Sequence, residues 1–124
     1  MSISNYLETK LVDLVFNATA YAGQATVYVK LHTGDPGEAC TSNAATETTR
    51  QAATFGAASG PTVTSDADIT WTNVSTSETY SHVSVWDDVS AGNALWYGAL
   101  TASKTVNAGD TFTIATGVLT ATLD

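Results

Sequence analysis

The stretch NALWYGALT, Asn93 to Thr101, decides how this chain is read. A strand buried on one face alternates apolar with polar side chains. Here one face carries Leu95, Tyr97 and Ala99 and the other Trp96, Gly98 and Leu100, so both are apolar. The pattern predicts a central strand over 94–101 covered on both sides. An opposing sheet would cover one face, and the N-terminal helix or another subunit the other. Trp96, the core candidate, and Tyr97 bring large rings whose polar tips need partners.

Working outward, TYSHVSVWD (residues 79–87) sets Val83 and Val85 against His82, Ser84 and Trp86. It is joined to the first stretch by DDVSAGN, whose Gly92 and Asn93 suit a turn with positive φ. ATVYVKLHT (residues 25–33) alternates Val27, Val29 and Leu31 with Tyr28, Lys30 and His32. Shorter strands are expected at Gln51 to Phe55 and in ITWTN (residues 69–73), with a turn-rich stretch between them. Downstream, NAGD is a turn, TFTIAT alternates Phe112 and Ile114 with threonines, and VLTATL sets Leu119, Ala121 and Leu123 on one side. Many short strands separated by Gly and Asn predict a mainly β fold, a β-sandwich or jelly-roll-like domain with one N-terminal α-helix. The expected core comprises Val27, Val29, Leu31, Val83, Val85, Leu95, Phe112, Ile114 and Leu119.

The helix is NYLETKLVDLVFNA, where Leu7, Leu11, Leu14 and Val15 make one stripe that Val12 and Phe16 widen. Asn5 and Glu8 have the spacing of a capping box. Residues 39–49 have no period and read as a surface loop that orders only against a neighbour. With no repeat and no linker, a single domain spans 1–124: an arm and helix in 1–22, then a β domain over 25–124.

Net charge is −8, and the fixed cations Lys10, Lys30, Arg50 and Lys104 are spread along the chain. Nucleic acid and anionic membranes both select clustered Lys and Arg, so neither is expected as a partner. A basic protein surface is electrostatically suitable. Charged residues are 13 % of the chain, against about 25 % in ordinary domains. Ala, Thr, Ser and Gly take their place, which suits close packing between surfaces. No secretory signal or bilayer-spanning run is seen, so synthesis and folding in the cytoplasm of the cell that makes the protein are expected.

Chemistry finds little support. Cys40 stands alone, which leaves no internal disulfide and no thiolate zinc cage. There is no GxSxG elbow, GxGxxG or P-loop. His32 and His82 read as ordinary strand residues, and the pairs Asp66/Asp68 and Asp87/Asp88 as turn acids without EF-hand spacing. Asn17 and Asn73 open sequons that read as chance matches. No catalytic residue, metal or cofactor is expected. Trp86, opposite Val83 and Val85, is the candidate for an exposed contact with sugar, helix or subunit, and His82 shares its face.

MSISNYLETKLVDLVF, ATVYVKLHTGDPGE, RQAATFGAAS, ITWTN, SHVSVWD and LWYGALTASKTVNAGDTFTIATGVLTATLD, in this order, resemble small bacteriophage virion proteins, often labelled tail fibre proteins. Capsid decoration (cement) proteins are similar in size and β-rich make-up. The resemblance implies a non-enzymatic virion protein on the particle exterior, contacting major capsid or tail proteins and forming a homo-oligomer, often a trimer. The first reading is a cement protein on the head. A tail or tail-fibre component is the alternative, since no heptads or collagen-like repeat encode a stalk. A carbohydrate-binding adhesion module comes third and an enzyme last.

Overall fold

The computed structural model describes residues 1–123, so Asp124, the end of the expected 25–124 region, lies outside them. In chain order the elements are β1 (Ser2–Ile3), α1 (Asn5–Phe16), β2 (Val27–His32), β3 (Gln51–Ala53), β4 (Thr62–Thr64), β5 (Ile69–Trp71), β6 (Glu78–Trp86), β7 (Ala94–Val106), β8 (Phe112–Ile114) and β9 (Thr120–Thr122). A five-stranded sheet runs β1-β7-β6-β2-β3, with two-stranded ribbons β4-β9 and β5-β8 beside it. Every pairing is antiparallel. The mainly β domain with one N-terminal helix is therefore what forms.

Alternation built most of the core as expected, with Val27 only partly buried at its margin. Val29 pairs with Val85 and Leu31 with Val83, and these four side chains face one way. Against them lie Ile69, Trp71, Phe112 and Ile114 from the β5-β8 ribbon, and Leu119 just before β9. Phe112 sits between Trp71 and Tyr80, with ring centroids 5.8 and 5.2 Å away in tilted arrangements. Each such side chain, fully buried, contributes roughly 1.5–3 kcal/mol. Leu123 departs from the expectation: it is exposed, while Leu119 and Ala121 are buried.

The decisive strand differs from its reading in one respect. β6, not β7, is central, because only the two-residue β1 flanks β7 on its far side. The core face of β7 is the one carrying Trp96 and Gly98, which pair with Val85 and Val83. Both faces look apolar because the strand is bulged twice. Leu95 is an extra residue between the Trp86–Ala94 and Val85–Trp96 pairs. Lower down, residues 100–103 stand against Ser81 alone. A bulge bends its strand and re-aims side chains, so Leu95 joins Trp96 around one apolar cavity. The cavity is about 200 Å³ and is lined also by Met1, Val27, Phe55 and Val63. Gly98 admits this arrangement, since a Cβ there would stand 2.9 Å from Cα of Met1.

The outer face is covered by α1 in part and by the 33–45 segment. Contrary to expectation, residues 39–49, which overlap that segment, are ordered by the chain itself. Thr33 and Asn43 close its base by an N–H···O bond of 2.9 Å, and Ala45 N–H reaches the Leu31 carbonyl at 3.1 Å. Gly37 N–H donates to the Asp35 carboxylate, and Gly37, Cys40 and Asn43 all take positive φ. Beyond it, the Glu78 carboxylate accepts the Thr46 and Glu47 amides, and Glu47 accepts those of Thr49 and Ser75. These carboxylates hold a backbone that no hydrophobic period organises.

Candidate interaction surfaces

Helix α1 is capped by Ser4, not by Asn5 as the spacing suggested. The Ser4 hydroxyl accepts the Leu7 amide at 3.2 Å and donates to the Ala94 carbonyl at 2.5 Å, so one side chain caps the helix and ties it to β7. Leu7 is the only buried residue of the helix. The rest of the apolar stripe projects outward: Val12 is 55 % exposed, Val15 70 % and Phe16 79 %. Leu14 is exposed too. The helix thus presents an apolar flank at its C-terminal half with none of the described residues packed upon it.

Trp86 and His82 both project from the outer face and both are half-buried. The fold does not bring them together, because Ser84 stands between them on the same strand face. His82 Nδ1 shares a 2.8 Å hydrogen bond with the Ser81 hydroxyl. Trp86 is no open platform: the Arg50 guanidinium lies 3.9 Å from the ring centroid and the Lys30 ammonium 5.9 Å. Arg50, marked in the sequence only as one of four scattered cations, also donates to the carbonyls of Asp88 and Ala91 at 2.8 and 2.7 Å. No local pattern marked it, since Arg50 and Trp86 are distant in sequence and meet only through β3 and β2.

Beneath Trp86 runs a polar chain. Its indole N–H donates to the Ser84 hydroxyl at 2.8 Å, and that hydroxyl lies 2.7 Å from His32 Nε2. His32 Nδ1 lies 2.9 Å from the Ser42 carbonyl, which can only accept, so Nδ1 carries the proton and Nε2 accepts from Ser84. A Ser–His contact of this length could resemble a nucleophile and its base. Both residues are fully buried, however, so no substrate can reach the hydroxyl, and the chain serves to satisfy buried polar atoms. Burial lowers the His32 pKa, which keeps the ring neutral. Cys40 is likewise enclosed, and burial pushes its thiol up to about 11, far from a reactive thiolate.

The acid pairs hold turns. Asp68 accepts the Thr116 amide and hydroxyl at 2.8 and 2.9 Å, and Asp66 accepts the Thr54 hydroxyl. Asp87 accepts the Asn93 backbone and side-chain N–H groups, and Asp88 those of Ser90 and Ala91. Among the described residues, no group of three or more His, Cys, Asp or Glu is placed to hold a metal. Nor is any helix among them long and apolar enough to cross a membrane.

The Ser84–His32 pair is thus enclosed, while the flank of α1 is exposed. The family model described as Podophage GP4 fiber I protein gp80 matches residues 2–122. The chain belongs to the gp80 fibre family. The match runs from β1 through β9, so the gp80 assignment covers the helix and the β layers alike. No curated protein matches it. The resemblance to phage proteins labelled as tail fibres is thereby borne out, and this gp80-family chain is a phage structural protein.

Proposed function

We propose that the chain is a non-enzymatic component of the tail fibre, built into the particle through the exposed flank of α1. The observation that carries the assembly reading is Phe16 at 79 % exposure beside Val12 and Val15. Large apolar side chains clustered on one flank mark an interaction site when they are contiguous. The flank is short and self-contained, and it lies on the element that Ser4 anchors to β7, so a neighbouring virion chain would grip the fold directly rather than through a loose arm. Family membership supports the fibre over the head, and the same flank suits a homo-oligomer.

A second reading is a decoration protein on the capsid surface, favoured by a chain that carries no stalk-forming repeat and whose one helix has 12 residues. Immunogold electron microscopy of intact particles separates the two. Label confined to the tail supports the fibre component. Label over the head overturns it in favour of decoration. Absence of the chain from purified particles by mass spectrometry would sink both.

A further inference from the structure

Lys30 and Arg50 are two of four fixed cations in a chain with twelve carboxylic side chains, and the fold brings them to one cleft. The cleft measures about 360 Å³ and is lined by Lys30, Thr48, Thr49, Arg50, Val89 and Ser90. Arg50 is held there rather than free to wander. Trp86 lies under its guanidinium, and Nη1 is bonded to two carbonyls of the β6–β7 turn. Those bonds use the two protons on Nη1. The three N–H donors on Nε and Nη2 have no protein acceptor among the described residues. A guanidinium fixed in direction with donors unspent is pre-organised for an oxyanion.

Lys30 faces the same space from the sheet. Burial lowers its pKa and the neighbouring Arg50 charge lowers it further, while burial also lowers that of Arg50 against the pull of Asp88 and Asp87. Two partly desolvated like charges are each less comfortable for the other's presence, and an anion between them relieves both. The nearby acids are otherwise engaged, Asp87 with Asn93 and Asp88 with the Ser90 and Ala91 amides. A bare phosphate would leave much of the cleft empty, whereas its volume falls within the range of small-molecule sites. Thr48, Thr49 and Ser90 add hydroxyls suited to the hydroxyls of a sugar ring. The net charge of −8 opposes approach at long range, but salt at physiological strength screens beyond about 8 Å.

We propose that this cleft binds an acidic monosaccharide unit, its carboxylate or phosphate held between Lys30 and Arg50 and its ring hydroxyls by Thr48, Thr49 and Ser90. The proposal stands apart from the fibre assignment and is tested on the isolated chain, wherever in the particle that chain resides. The readout is the NMR signal of the Trp86 indole N–H, assigned with Trp86→Phe, during titration at matched ionic strength with glucuronate, glucose phosphate, neutral glucose and inorganic phosphate. A saturable shift with a sugar acid, none with glucose and weaker binding of inorganic phosphate are expected. Lys30→Gln should weaken the sugar acid about tenfold, the effect of losing one charge-assisted contact, with the melting temperature unchanged. Arg50→Gln also removes the turn contacts, so Lys30→Gln is the informative variant. No saturable shift, or equal affinity in Lys30→Gln, would overturn the site. Inorganic phosphate binding as tightly as the sugar acids would overturn the saccharide and leave an ion site only.

Discussion

Ser84 shows how much one small residue can hold. Its hydroxyl accepts from Trp86 and donates to His32, both across short distances within the sheet. Ser84→Ala keeps the volume nearly unchanged yet strands the buried Nε2 of His32 and removes the acceptor of the Trp86 indole. Leaving such a group unsatisfied costs about 1–3 kcal/mol, which a urea midpoint shifted at constant slope would register. His32 adds a pH dependence. Its folded pKa is depressed by burial below the ordinary value of 6.5, so folding favours the neutral ring. Its contribution is complete above that value. As pH falls through it, the unfolded chain takes up the proton first and stability declines until the folded pKa is reached, by up to about 1.4 kcal/mol per pH unit. Urea midpoints should therefore fall between pH 7 and 5 in the wild type, and the fall should flatten in His32→Gln. The histidine was visible in the sequence as an ordinary strand residue. Its burial was not, because the segment that covers it has no pattern to read.

At the level of elements, period was the reliable guide. β2 and β6 follow from strict alternation, and α1 from its stripe, because burial on one face imposes those spacings directly. β1 and β4 went unread: two and three residues are too few to show a period, and their pairing partners lie far along the chain. The helix cap was misplaced by one residue because Asn5 and Glu8 mimic the right spacing, while the bond from Ser4 to Ala94 that fixes the capping serine reaches 90 residues along the chain. The two serve as each other's control. Ser4→Ala should lower stability by about 1–2 kcal/mol, since it removes the cap and the tie to β7 together, whereas Asn5→Ala should change it little. Thermal melts followed by circular dichroism would measure both. Equal effects would return the cap to Asn5.

For the whole molecule, the fold class was legible and the placement of surfaces only partly so. The apolar stripe on α1 announced burial, but a single chain buries only Leu7 of it, and sequence cannot say in which molecule the remainder is covered. Trp86 was rightly placed on the outer face, yet its cover by Arg50 depends on tertiary packing that spacing does not encode. Replacing Val12, Val15 and Phe16 together with Ser should leave the isolated fold within about 0.5 kcal/mol of the wild type, since these side chains are already in water. The same change should abolish incorporation into particles, scored by mass spectrometry of purified phage grown with the variant gene. Normal incorporation would remove the α1 flank from the assembly interface.

The seat of Met1 has a practical side. Its backbone lies so close to Gly98 that a methyl group could not be added there, and its side chain closes one wall of the apolar cavity. An affinity tag or fluorescent fusion placed directly ahead of Met1 would start from a residue half-buried against Gly98 and the cavity, so crowding there would fall first on β1. Leu123 is exposed, so a handle placed after it disturbs less packing. A preparation tagged at the amino end that aggregates or melts early would thus report on the handle rather than on the protein.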